Sequence, residues 1–227
     1  MKITYLGQAG FLMETDGLTV LIDPYLSDSV EKIQPQNYRR VPVNEHFLTI
    51  YPNVIVLTHN HLDHTDPETL RHYLNENSQV VVLASKNAWN EIRKFGGTSN
   101  NYVMFNEGTS WTQNNVLFRA VKAEHSDEYA IGVVIKAEGK NYYFTGDTLY
   151  NESVFKSLPN EEIEALFLPI NGKGNNMNKR DASLFAERID AKKTVPVHIG
   201  MFDETTAEDF TAKRVVIPSV YQEISLE

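Results

Sequence analysis

Three short strand-like segments open the chain at residues 2–6, 10–14 and 18–22, and Asp16-Gly17 between the last two is a hairpin turn signal. The pattern predicts an antiparallel pair that closes on Asp23-Pro24. A looser stretch over 27–52, punctuated by Pro35, Pro42 and Pro52, leads to Val54-Ile55-Val56-Leu57, a continuous apolar run typical of a strand buried on both faces. A helix is expected next, because Asp66 can cap it, Pro67 suits its first position, and Leu70, Tyr73 and Leu74 keep helical spacing. The alternation then repeats, with a strand over 79–83, a helix over 87–95 stopped by Gly96-Gly97, a short strand over 102–106 and hairpin-like β structure over 111–145. Beyond it come a helix over 152–157, a strand over 165–170, a helix from about 180, a strand over 193–199 and a C-terminal β segment. In the helix near Arg180, Ala182, Phe185, Ala186 and Ile189 fall at i, i+3, i+4 and i+7, a stripe that faces a core.

A weak internal repeat runs through this pattern. Gly10 and Gly17, seven apart, lead to Asp23, while Gly132 and Gly139, also seven apart, lead to Asp147. Two similar β-rich halves with helices between them predict an α/β protein: a sandwich of two mixed sheets covered by helices, with a shared cleft where strand ends meet. No linker interrupts the pattern, so one domain is expected over residues 1–227.

Composition narrows the chemistry. The net charge of −9 argues against a phosphate polymer or an anionic membrane as partner and favours a small molecule. With no cysteine, disulfides, thiolate metal sites and cysteine nucleophiles are excluded, so any metal must be held by nitrogen and oxygen. No window reaches the ~20 apolar residues of a membrane span and no leader pattern precedes the first strand, which predicts a soluble, cytoplasmic protein, with homo-oligomerisation left open.

The informative run is Thr58-His59-Asn60-His61-Leu62-Asp63-His64, where the buried strand ends and the next helix has not begun. Burying four such side chains is costly unless each finds a partner, and a divalent cation satisfies several lone pairs at once. In an extended segment His59 and His61 project to the same side and can grip one ion, while Asp63 and His64, after the chain turns, can point at a second position nearby. Further candidate ligands close apolar runs farther along: His125, Asp147 and His198. His46 and His72 lie outside this pattern.

The succession His59-x-His61-x-Asp63-His64, His125-Ser126, Gly146-Asp147 and His198 resembles the metallo-β-lactamase superfamily of binuclear metal hydrolases, over residues 3–200. The resemblance implies a four-layer αββα sandwich of two mixed β-sheets flanked by helices. It also implies that His59, His61 and His125 hold one metal, that Asp63, His64 and His198 hold the other, and that Asp147 bridges both; Asp63 and Asp147 would be the catalytic carboxylates. The cofactor would be two divalent ions, Zn²⁺ or Mn²⁺ with Fe²⁺ as a third candidate, sharing a water acidified toward pKa ~7 as the nucleophile. Tyr5-Leu6-Gly7-Gln8-Ala9-Gly10-Phe11, Leu21-Ile22-Asp23-Pro24 and Asn171-Gly172-Lys173-Gly174 are similar to the branch that contains L-ascorbate 6-phosphate lactonase. The resemblance therefore implies cleavage of an ester, lactone or phosphorylated small metabolite.

An anionic substrate would need a local basic patch on so acidic a protein, and the candidates are Arg39, Arg40, Lys173 and Arg180 with the amides of Asn171, Asn175 and Asn176. Two other readings compete: a phosphodiesterase or ribonuclease of the same superfamily, poorly matched to the charge, and a non-catalytic metal-binding protein, poorly matched to a complete set of seven ligands.

Overall fold

The computed structural model describes residues 1–226. Twelve strands form two six-stranded sheets among these residues. The first runs β1 (Lys2–Gly7), β2 (Gly10–Thr15), β3 (Leu18–Ile22), β4 (Val54–Leu57), β5 (Val81–Ala84) and β6 (Asn101–Met104), antiparallel up to β3 and parallel from there. The second is built from β7 (Ser110–Gln113), β8 (Val116–Lys122), β9 (Ile131–Ala137), β10 (Lys140–Phe144), β11 (Ile163–Pro169) and β12 (Lys193–Val197) in that spatial order, antiparallel up to β10 and parallel beyond. Both sheets are mixed, and the sequence repeat has a structural meaning. The turns Asp16-Gly17 and Glu138-Gly139 join β2 to β3 and β9 to β10, and all four residues have positive φ, the conformation that matches the twist of a two-residue hairpin.

Period two along the buried strands sorts the layers. Val54 and Val56 of β4 point between the sheets, where they meet Phe11, Phe118, Phe144 and Phe167, while Ile55 and Leu57 point outward. On that outer face lie α2 (Pro67–Tyr73) and α3 (Lys86–Ile92), after α1 (Ser29–Ile33), with Leu70, Ala88 and Ile92 covering the first sheet. Leu166 and Leu168 of β11 point the other way, into α4 (Glu152–Ser157) and α5 (Lys179–Ile189) through Val154 and Phe185. The result is the four-layer αββα sandwich.

The helix signals act as expected at α2 and α5. Asp66 accepts the backbone N–H groups of Glu68 and Thr69 with Pro67 in the first position, and Asn178 caps α5, whose Ala182, Phe185 and Ala186 are buried. Three readings need correction. The 27–52 stretch carries α1 and a 3₁₀ turn at Glu45–Thr49. The helix expected over 87–95 stops at Ile92, where Phe95 and Gly96 both donate to the Ile92 carbonyl and the Tyr102 hydroxyl occupies the space a Gly96 side chain would need. The C-terminal β segment is two isolated bridges, Thr4 with Glu223 and Thr194 with Val215, one on the outer strand of each sheet. Pro218 interrupts it, so the segment covers two edges without becoming a strand. Among the described residues no helix is long and apolar enough to cross a membrane.

Candidate metal centre

Strand ends from both sheets converge on one edge of the sandwich. β4 delivers His59, and the chain then turns, with His64 and Thr65 donating their N–H groups to the His61 carbonyl, so that Asp63 and His64 face back across the edge. β8, β10 and β12 deliver His125, Asp147 and His198. Gly146 makes room for this approach: at φ +60 it lies so close that a Cβ would sit 2.7 Å from the Ile131 carbonyl oxygen and 3.0 Å from Thr58 Cβ.

The structure brings all seven predicted ligands together. Their donor atoms fall into three overlapping groups in which every atom lies within 4.8 Å of the others: His59 with His61 and His125, Asp63 with His64 and His198, and His59 with His64 and Asp147. The first two correspond to the two ligand sets implied by the sequence, and the third lies across them. His59, His64, Asp147 and His198 are buried, yet His59 Nε2, His64 Nε2, Asp147 Oδ1 and His198 Nε2 have no hydrogen-bond partner. Asp147 Oδ1 and His198 Nε2 lie 2.7 Å apart without the alignment of a hydrogen bond. Four buried polar atoms side by side without partners are costly in a protein and natural around a cation.

Groups behind the ligands orient them. The Thr58 hydroxyl donates to Asp23 Oδ2 at 2.5 Å, which uses its only proton, so its oxygen is left to accept from His59 Nδ1 at 3.1 Å. Asp23 Oδ2 also accepts from His64 Nδ1 at 2.8 Å. One carboxylate thus sets the tautomer of two rings and turns both Nε2 lone pairs toward the centre. His125 Nδ1 faces the Asn175 carbonyl at 3.2 Å and is set in the same way. Asn176 Nδ2 donates to Asp147 Oδ2 at 2.8 Å. The Gln8 carboxamide nitrogen donates to Asp63 Oδ2 at 2.7 Å and lies 2.9 Å from His198 Nδ1, and the Gln8 carbonyl accepts the His198 N–H. Both residues hold left-handed backbone, with φ 54 and 57, a strain of order ~1 kcal/mol each that the surrounding contacts must hold in place.

Electrostatics point the same way. Burial and the neighbouring His64 push His59 well below the ordinary histidine value. Burial acts in the same direction on His64, but the carboxylates of Asp147, Asp63 and Asp23 outweigh it and hold that ring well above. Burial would raise the Asp147 carboxyl, yet His198 and His64 keep it well below its usual range. Three carboxylates therefore favour positive charge at this spot.

His61, Asp63, Asp147 and His198 floor a cleft of about 430 Å³ walled by α1 and by the loops that follow β11 and β12. Of the residues considered for an anionic substrate, Asn171, Lys173 and Asn176 line it. Lys173 is paired with Asp203 at 2.6 Å. Burial would raise the Asp203 carboxyl, but Lys173 and Thr205 hold it below its usual value. Asn175 is exposed and contributes its carbonyl to His125. The other arginines lie elsewhere. Arg39 bonds the Tyr25 carbonyl at 2.8 Å and the Tyr221 hydroxyl at 2.6 Å, tying the C-terminal segment down; Arg40 lies over the Tyr38 ring and 3.6 Å from Glu204; and Arg180 sits in a separate groove along α5. Arg39 and Arg40 thus take partners outside the cleft lining. His46 and His72 are exposed. Sequence reasoning gave no role to Gln8, Asp23 or Thr58, although Asp23 occupies in the first hairpin of the repeat the place that Asp147 holds in the second.

Known proteins resemble this chain in sequence and in fold. A metal-dependent hydrolase of Geobacillus thermodenitrificans is 30% identical over 212 residues, covering 89% of this chain and 87% of its own. Igni18, a metallo hydrolase from the hyperthermophilic archaeon Ignicoccus hospitalis, superposes with a TM-score of 0.72 at 20% identity over 98% of this chain and 96% of its own. The metallo-beta-lactamase fold protein YhfI from Bacillus subtilis gives 0.71 at 16% identity, covering 98% of each chain. The sequence profile of the beta-lactamase superfamily domain matches residues 2–198, and the chain belongs to that superfamily.

Proposed function

We propose that the protein is a hydrolase of small esters or lactones that holds two divalent cations, zinc, manganese or ferrous iron, at the convergent strand ends. The observation that carries this reading is the set of orphaned Nε2 and Oδ1 atoms within reach of one another, all belonging to the seven-residue set. His59, His61 and His125 would hold one ion and Asp63, His64 and His198 the other, with Asp147 between them. When bound, such ions acidify water and polarise a carbonyl or phosphoryl oxygen.

The chain's own groups do the rest. Asp23 and Thr58 keep the His59 and His64 lone pairs aimed inward. Asn176 fixes one oxygen of Asp147 and leaves Oδ1 turned toward His64 and His198. Gln8 engages Asp63 Oδ2, and Asp63 lines the cleft, where its carboxylate would take the proton of the attacking water. A cleft of about 430 Å³ suits a metabolite-sized molecule, and the single, paired lysine in its lining supports a small-molecule substrate over a nucleic acid.

The test joins metal analysis to turnover. The purified chain should carry Zn, Mn or Fe and hydrolyse members of an ester and lactone panel, with activity lost to a chelator and restored by Mn²⁺ or Zn²⁺. Turnover that survives chelation, or that persists in folded His59→Ala, overturns the reading.

A further inference from the structure

We infer that the cleft selects an uncharged substrate with an apolar group remote from the reacting bond, and rejects one that carries a remote negative charge. The inference rests on the hydrolase reading of the same site. Three observations carry it.

The first is charge. Lys173 is the only lysine or arginine lining the cleft among the described residues, and Asp203 neutralises it at 2.6 Å. Asp203 itself lines the cleft, so a phosphate or carboxylate on the far end of a substrate finds no unpaired lysine or arginine among the described lining residues. The second is the apolar wall. Ile33, the last residue of α1, is 72% exposed at the cleft, an unusual place for a large aliphatic side chain with no contact to serve, and Val30, Leu62 and Phe202 continue its surface. The Phe202 ring is braced edge-on against Tyr25 at 5.5 Å, so this wall is fixed in position. The third is the nature of the remaining polar lining. Gln34, Asn37, Asn171 and Asn176 are neutral carboxamides, and Asn176, 5% exposed, keeps a buried Oδ1 without a partner while its Nδ2 serves Asp147. Because a carboxylate only accepts, Asp147 fixes which end of that amide is oxygen, and the Asn176 N–H groups face Asp147, so this amide adds no positive charge to the lining.

Phenyl butyrate and phenyl hydrogen succinate share a leaving group and differ only at the end of the acyl chain, a methyl against a carboxylate. The full-length chain loaded with Zn²⁺ or Mn²⁺ should turn over the butyrate with kcat/KM at least about ten-fold higher. The matching anilides, butyranilide and succinanilate, are titrated by NMR into chelator-treated protein at pH 8, where coordination to a metal cannot contribute; butyranilide should again bind at least about ten-fold more tightly. Asp203→Asn, which releases Lys173, should narrow both ratios by strengthening the succinyl partner, and Ile33→Ser should weaken butyranilide several-fold. If neither ester is turned over but the anilide preference holds, the hydrolase reading fails and this inference stands. Equal or reversed preference in either measurement overturns it, as does the absence of binding by both anilides.

Discussion

The β2–β3 and β9–β10 hairpins are built alike, each with a two-residue turn of positive φ and each leading to an aspartate at the same edge of the sandwich. Their carboxylates have opposite surroundings. Asp23 is 1% exposed and fully engaged by Thr58 and His64. Asp147, 4% exposed, has Oδ2 engaged by Asn176 and Oδ1 left without an aligned partner between two histidines. On the proposed reading, equivalent positions in a repeated unit divide the labour, Asp23 holding the ligands and Asp147 serving as one. What separates them is the number of unsatisfied lone pairs, which no reading of residue type alone supplies.

The largest expected effect tests the ligand side of this division. Asp147→Asn keeps shape and the Asn176 neighbourhood while removing the charge between the ion positions, and should lower turnover by about 10³-fold, a loss that excess Zn²⁺ or Mn²⁺ does not restore. Asp23→Asn should act more gently, weakening metal affinity by about 10- to 100-fold through misoriented His59 and His64, with turnover recovered at high metal concentration. Metal titrations of both variants decide the matter. If excess metal rescues both or neither, the two aspartates are not divided as described.

These two residues also mark how far the sequence can be read. His59, His61, Asp63, His64, His125, Asp147 and His198 were legible as a set because the clustered histidines stand where an apolar run ends and because their succession resembles a known superfamily. The four layers were legible because period two along β4 and β11 and the stripe on α5 state which face is buried. That Arg39 lies outside the cleft lining was hidden because a loop arginine carries no signal of its partner: Tyr221, which it bonds, lies 182 residues away; Arg180, on α5, lines a separate groove. Asp23 was hidden for a similar reason, since its work passes through Thr58, whose hydroxyl becomes informative only when its single proton is traced.

A third prediction sharpens the contrast within the supporting groups. Gln8 contacts Asp63 and His198, members of one ligand group, through a neutral amide, whereas Asp23 braces members of both groups with a charge. Gln8→Leu should therefore cost about ten-fold in metal affinity, below Asp23→Asn, and should spare one of two resolvable binding events in a calorimetric titration. Equal loss of both events would mean that Gln8 supports the edge as a whole.

The smallest effect lies away from the centre, where the second half carries a charge cluster across β8 and β9. Glu161 accepts from Arg119 of β8 at 2.5 Å and from Lys136 of β9 at 2.9 Å. These two hydrogen bonds pull its carboxyl down from 4.5 to about 2. A carboxylate with a depressed folded-state pKa adds stability above its unfolded value, and that contribution is lost as pH falls from about 4.5 toward 2. The cluster is partly exposed and screened by salt, so its worth is about 1 kcal/mol or less, a Tm difference of about 2–4 °C at most for a chain of this size. Glu161→Gln should consequently melt slightly below the native chain at pH 7, and the gap should close as the pH is lowered through 4 and shrink in high salt at neutral pH. Because the metal ligands are not involved, metal content and turnover at neutral pH should be unchanged, which separates the half of the molecule that anchors the strands from the edge on which both halves meet. A gap that widens on acidification would show that Glu161 is not held ionised by its two cations.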